Sequence, residues 1–201
     1  MELVKRIFAD RPLVLASKSP RREQLLRLVG LEFIIDVPDI DEEAVEPGLP
    51  PAEIVTELAR RKAETIAPKH REAFIIAADT IVVLQDEILG KPRDRQDAVA
   101  MLRKMSGQHH RVYTGFTVLQ LPEGVRVEAV ECTRVTFKPL SDEEIEAYVD
   151  TGSPMDKAGA YGIQDMSAIF IEKIDGCFYN VVGFPLARFY QTCKAKFFKG
   201  N

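Results

Sequence analysis

Apolar residues first cluster in PLVLA (residues 12–16), a run too short and too uniform for a helix face, which predicts a buried strand. SKSPRR then opens a helix, with Ser19 at the N-cap and Pro20 in the first helical position. That helix carries Leu25, Leu26, Leu28 and Val29 and stops at Gly30. FIIDV (33–37) predicts a second strand, followed by the acidic loop PDIDEEAVEPGLPP and a helix from Pro51 to Ala67. AFIIAADTIVVLQ reads as a long apolar strand that QDEI turns back towards ILGKP. Asp94 caps a helix through Met105 that ends at Gly107. YTGFTVLQL and VRVEAVECTRVTF are strands joined by a PEG turn, and Ser141 with Glu144 forms a capping box for EEIEAYV. A loop rich in small residues, TGSPMDKAGAYGIQD, leads into SAIFIEKI, an Asp175-Gly176 turn and FYNVVGF, and a last helix starts near Pro185. Strands and helices alternate early and hairpins dominate later. The pattern predicts an α/β fold with a mixed central β-sheet flanked by helices, two-lobed but a single domain over 1–201.

Composition narrows the classes. With 46% apolar and 29% charged residues, the chain can bury a core, which excludes a disordered or fibrous protein. A net charge of −4 and no basic stripe with interleaved aromatics argue against a nucleic-acid partner. Cys132, Cys177 and Cys193 are odd in number and far apart, which supports neither a disulfide framework nor a zinc knuckle. No run reaches the roughly 18 apolar residues of a membrane span, so a cytoplasmic location is expected. Adjacent His109 and His110 point to opposite faces of a strand, a poor arrangement for a shared metal.

Three departures from pattern carry chemistry. Asp79 sits inside FIIAADTIVVL, where a buried strand is otherwise apolar. Either it is paired, metal-bound or catalytic, or the strand breaks there and the carboxylate faces water; the β-branched residues on both sides favour the first. Lys62 falls near the centre of the helical stripe Ile54, Val55, Leu58, Ala59 and Ile66, so it either snorkels outward or reaches a buried anion. In Ser17–Arg22, two serines, Arg21 and Arg22 meet a helix N-terminus, whose amides and dipole suit phosphate; cations in a first turn are otherwise unfavourable. Weaker signals follow. The loop Asp39-Ile40-Asp41-Glu42-Glu43 reads on its own as solvated, and Lys91 as an unremarkable lysine after a hairpin. In DKAGAYGIQ, small residues allow close approach to a planar ligand and Gln164 offers both donor and acceptor to a base edge; a plain surface loop is equally consistent.

Taken together, LASKSPRR (15–22), LARRKA (58–63), AADTIVV (77–83), GKP (90–92), MLRKMSG (101–107), TGSPMDKAGAYGIQ (151–164) and NVVGFPL (180–186) resemble the Maf family of nucleotide pyrophosphatases. The resemblance implies a two-lobed fold with a cleft, similar to the inosine triphosphate pyrophosphatases. It implies hydrolysis of a nucleoside triphosphate to monophosphate and pyrophosphate with Mg²⁺ or Mn²⁺, by a homodimer. Carried over by motif, Asp79 is the catalytic acid–base residue, while Ser17, Arg21, Arg22, Lys62 and Lys91 hold the polyphosphate. Asp79 with Asp41 or Glu42 meets the metal, and Arg21, Thr80 and Gln164 set base selectivity. DKAGAYGIQ resembles the branch acting on dTTP and UTP, although Asp165 stands where that branch usually has glycine. The competing readings are a pyrophosphatase for another non-standard nucleotide, and a nucleotide-binding regulator of cell division without turnover. The aromatics of the last helix, Phe189, Tyr190, Phe197 and Phe198, either serve a subunit contact or, for Phe189 and Tyr190 above all, belong to the core.

Overall fold

The computed structural model describes residues 2–42 and 48–198. Seven strands form one mixed sheet in the order β2-β1-β3-β5-β6-β7, with β4 paired to β3. The chain divides into two compact units, Met1–Asp79, Thr114–Glu131 and Gly183–Asn201 making the first and Thr80–Tyr113 with Cys132–Val182 the second. Among the described residues no helix is long and apolar enough to cross a membrane.

In the first unit, β1 (Leu13–Ala16) is buried along its whole length because it is sandwiched in the sheet. It runs parallel to β2 (Ile34–Ile35) on one side and to the start of β3 (Phe74–Leu84) on the other, with Leu13 opposite Phe74 and Ala16 opposite Ala77. Strands paired on both edges and covered on both faces read as continuous apolar runs, as β1 does and as β3 does apart from Asp79 and Thr80. β2 is shorter than FIIDV suggested, and both its residues are exposed, as befits the terminal strand. Helix α1 (Glu2–Lys5) precedes β1, and α2 (Pro20–Leu28) follows it, capped by Ser19 as expected. The stripe of α3 (Pro51–Ile66) faces inward: Ala63 and Ile66 pack with Val14, Ala16, Ile75 and Ala77. A Cβ on Gly115 of β5 (His109–Gln120) would lie 2.7 Å from the Val55 carbonyl carbon, so that glycine lets α3 approach the strand. The last helix, α7 (Leu186–Phe197), closes this core. Phe189 is buried, stacks against Phe8 and meets Phe116 and Phe184 edge-on, and Phe197 meets Phe74 edge-on at 5.2 Å. Tyr190 and Phe198 are half-buried.

In the second unit, the end of β3 turns at Gln85 into β4 (Glu87–Leu89), and β6 (Val125–Phe137) pairs antiparallel with β7 (Ile171–Asp175). Helix α4 (Arg95–Met105), capped by Asp94, and α5 (Asp142–Val149), with the capping box of Ser141 and Glu144 in place, bury Leu102, Met105, Ile145 and Val149 against Val82, Val112, Val135 and Phe137. Short α6 (Phe178–Val182) holds FYNVV, where Asn180 donates to the Val112 carbonyl at 2.9 Å. The run SAIFIEKI is not one extended segment: Met166–Phe170 is a 3₁₀ turn and only Ile171–Asp175 is strand.

His109 is exposed and His110 buried, as the alternation of a strand requires. The His110 ring sits against Phe137 and bonds the Tyr161 hydroxyl through Nε2 at 2.8 Å. Burial, helped slightly by the charge of His109, lowers its pKa to about 4 from an ordinary 6.5. The unfolded chain therefore takes up a proton near pH 6.5 that the folded chain refuses until about pH 4. Stability is complete above that window and is lost as pH falls through it, by about 3 kcal/mol if this group acts alone. Urea midpoints measured from pH 7.5 to 4 are expected to drop across this range, and the drop is expected to shrink in His110→Gln.

Candidate active site

The strand alternation that buries β3 places Asp79 inside the first unit, 7% exposed, with no break in the strand. Its carboxylate has a partner that the sequence offered as one of two choices. Lys62 does not snorkel: it is 5% exposed, and its Nζ donates to Asp79 Oδ1 at 2.6 Å. The same ammonium lies 2.7 Å from Glu42 Oε1. A lysine at the centre of an apolar helix face thus meets two carboxylates, the arrangement under which a buried charge is tolerated. Asp41 is exposed, and Glu43 lies outside the described residues.

The phosphate-suited turn joins the same group. Ser17, at the end of β1, is buried, and its hydroxyl accepts from the Ser19 amide at 3.1 Å. Ser19 accepts in turn from the Arg22 amide. Arg22 folds back along its helix, donating from Nε to the Gly183 carbonyl at 3.0 Å and from a terminal nitrogen to Ser17 Oγ at 3.4 Å. Burial lowers the Arg22 pKa, and the charges of Asp79 and Glu42 act against that shift. A guanidinium so placed stays charged at neutral pH. Arg21, one residue earlier, is half-buried, and Lys18 is exposed.

The remaining sequence candidates belong to the second unit. Thr80 follows Asp79 on β3 and is half-buried. Lys91 is exposed just after β4. The carbonyl of its neighbour Gly90 accepts from the Gly159 amide at 2.9 Å, which ties GKP to DKAGAYGIQ. Gly159 has φ +70, and a Cβ there would lie 3.1 Å from Val82 Cγ1, so a side chain at that turn would be strained and crowded. Ala160 follows with φ +59, a left-handed alanine of the kind that collects at functional loops. Gln164 is exposed.

A family model described as Maf-like protein matches residues 12–196. The chain belongs to the Maf family. A dTTP/UTP pyrophosphatase of Carboxydothermus hydrogenoformans is 50% identical over 180 residues, covering 90% of this chain and 96% of that protein. A dTTP/UTP pyrophosphatase of Geobacter sulfurreducens is 53% identical over 183 residues, covering 90% of this chain and 95% of that one. Among solved structures, a nucleoside-triphosphatase (dITP/XTP pyrophosphatase) from Mycobacterium abscessus is 18% identical over 63% of this chain and 74% of that chain, with a TM-score of 0.39.

One partner, Gly183 in a Maf motif, was not legible as a site residue, and Glu42 was expected, with Asp41 as its alternative, to meet the metal rather than to pair with Lys62. Gly183, in NVVGFPL, receives Arg22 across 161 positions of chain, and Glu42 reaches Lys62 from a loop that read as solvated. The only signal for the first was a glycine in an apolar run; for the second, the resemblance placed Asp41 or Glu42 at the metal without pointing to Lys62. Among the described residues no group of three or more His, Cys, Asp or Glu side chains could hold a metal. Asp79 and Glu42 provide two carboxylates around one ammonium. That donor set still suits Mg²⁺ or Mn²⁺, because Mg²⁺ is commonly held by one or two carboxylates together with substrate phosphates and water.

Proposed function

We propose that the chain hydrolyses dTTP and UTP to the nucleoside monophosphate and pyrophosphate, with Asp79 as the catalytic carboxylate. The observation that carries this reading is the buried Asp79–Lys62 pair, with Glu42 on the same ammonium, in a Maf member about half identical to dTTP/UTP pyrophosphatases. A structural ion pair has no need of a third charged partner in the same place, whereas phosphoryl chemistry needs both a base and cations. The family match spans both units, which supports reading 1–201 as one pyrophosphatase domain.

In this reading a water attacks the α-phosphorus, the bond from that phosphorus to the α–β bridging oxygen breaks, and pyrophosphate departs. Asp79 orients the water and accepts its proton. Lys62 holds Asp79 in place and, with Arg22, Arg21 and Lys91, offsets charge on the polyphosphate, to which the Ser17 hydroxyl donates. Asp79 and Glu42 would hold a divalent cation, which when bound supplies Lewis-acid polarisation of the phosphoryl oxygens. Thr80, Arg21 and Gln164 read the base. A homodimer and a cytoplasmic location belong to the same proposal; three free cysteines are in keeping with a reducing compartment. Light scattering tests the dimer, and the mass of a single chain would overturn it.

The test is incubation with dTTP, UTP, CTP, GTP, ITP and 7-methyl-GTP in Mg²⁺ or Mn²⁺, reading pyrophosphate and monophosphate. Turnover of dTTP and UTP is expected. Turnover of other nucleotides alone would overturn the base assignment, and turnover of none would leave a nucleotide-binding protein. Chelation by EDTA is expected to reduce the rate to about 1% or less, with recovery on adding Mg²⁺.

A further inference from the structure

Asp165 is the residue at which this chain departs from the glycine expected after Gln164, and both oxygens of its carboxylate are hydrogen-bonded. Oδ1 accepts from the Ser167 amide at 2.9 Å and lies 2.7 Å from the Ser167 hydroxyl. Oδ2 accepts from the Ser153 hydroxyl at 2.8 Å and from the Tyr148 hydroxyl at 3.1 Å, with Lys157 Nζ at 3.5 Å. Burial pushes the Asp165 pKa up, but the bonds from Ser167, Ser153 and Tyr148 outweigh it and hold the carboxyl below its ordinary range. The anchor is tied into the turn on its other side as well. The Asp165 amide donates to the Gly162 carbonyl at 3.0 Å, and the Gly162 amide donates to Ser167 Oγ at 3.0 Å. A Cβ on Gly162 would lie 2.9 Å from Asp165 Oδ2 and 2.7 Å from Lys157 Cε, so both side chains cross the bare backbone there. Gln164 is exposed in this turn, between buried Ile163 and anchored Asp165.

We propose that Asp165 is a positioning residue for nucleotide selectivity: it fixes the 162–167 turn so that Gln164 is presented to the base in one orientation. This rests on the proposed pyrophosphatase function and on Gln164 as a base reader. A carboxylate that cross-links α5, the Ser153 turn and the Ser167 turn takes up in folding the ordering that substrate would otherwise impose. A turn ordered in advance costs less to engage, so its loss weakens binding more than chemistry. The consequence is a KM effect with kcat preserved, together with poorer rejection of a pyrimidine whose edge carries an amino group in place of a carbonyl.

The experiment compares the parent with Asp165→Ala, which removes the carboxylate without adding backbone freedom, and with Asp165→Asn, which keeps an acceptor for Ser167 and Tyr148. KM and kcat are measured for dTTP, UTP and CTP, and amide hydrogen exchange is followed at Gly162 and Ser167. In Asp165→Ala, KM for dTTP and UTP is expected to rise about tenfold with kcat within about twofold. Preference for UTP over CTP is expected to narrow and both amides to exchange faster, with Asp165→Asn recovering most of each change. Unchanged KM and selectivity in an active, folded Asp165→Ala protein would overturn the proposal, as would a fall in kcat alone. Unchanged exchange would overturn it even without turnover data. A parent inactive on dTTP and UTP would instead remove the function on which it rests.

Discussion

Asp79→Asn is expected to lower kcat for dTTP hydrolysis by about 10³-fold, the usual range for removing a positioned acid–base group, while leaving the fold intact. Stability is expected to change by no more than about 1 kcal/mol, because the asparagine carbonyl still accepts from Lys62 and the ammonium keeps Glu42 at 2.7 Å. Paired measurements of kcat and thermal midpoint check this. Loss of activity with an unchanged midpoint fits a catalytic carboxylate; loss of both together points to a structural pair.

Lys62→Met is expected to behave in the opposite way, with a large loss of stability as well as activity. Methionine preserves the aliphatic volume at the centre of α3's buried stripe but removes the ammonium that contacts both Asp79 and Glu42. Removing one partner of a buried ion pair costs about 3–5 kcal/mol. Glu42, whose side chain is 41% exposed, keeps part of its hydration, so the low end of that range is expected and Asp79 dominates it. For a chain of this size about 3 kcal/mol corresponds to a thermal midpoint lower by roughly 6–12 °C, readable by calorimetry. A midpoint within about 2 °C of the parent would mean that the carboxylates are accommodated without Lys62. The contrast between the two substitutions follows from geometry: one ammonium contacts two carboxylates, so removing the Asp79 charge leaves the Lys62–Glu42 contact, whereas removing the ammonium breaks both contacts at once.

The sequence exposed this site because burial and polarity disagreed at particular positions. Asp79 interrupts a run that is otherwise apolar, and Lys62 interrupts a helical stripe; periodicity locates both, and the strand and helix are where periodicity put them. Ser19 and Pro20 mark the start of α2 for purely local reasons, and local rules hold there. Long-range closure was not legible. Whether Lys62 snorkels or turns inward depends on Glu42 and Asp79 arriving from other elements, and the hold of Gly183 on Arg22 depends on the return of the chain after β7. The SAIFIEKI segment shows the other kind of limit. Its apolar residues have no fixed period, and the Asp165 cap on Ser167 turns the first half into a 3₁₀ turn that leaves Met166 and Ile169 exposed. FIIDV paired over only two residues because a terminal strand has a neighbour on one side alone.

Incubation of the purified chain with dTTP and Mg²⁺ in ¹⁸O-labelled water, with products resolved by mass spectrometry, tests the central claim most directly. The expected result is dTMP carrying one labelled oxygen and pyrophosphate carrying none, because water attacks the α-phosphorus. Label in pyrophosphate, or release of dTDP and phosphate, would contradict it.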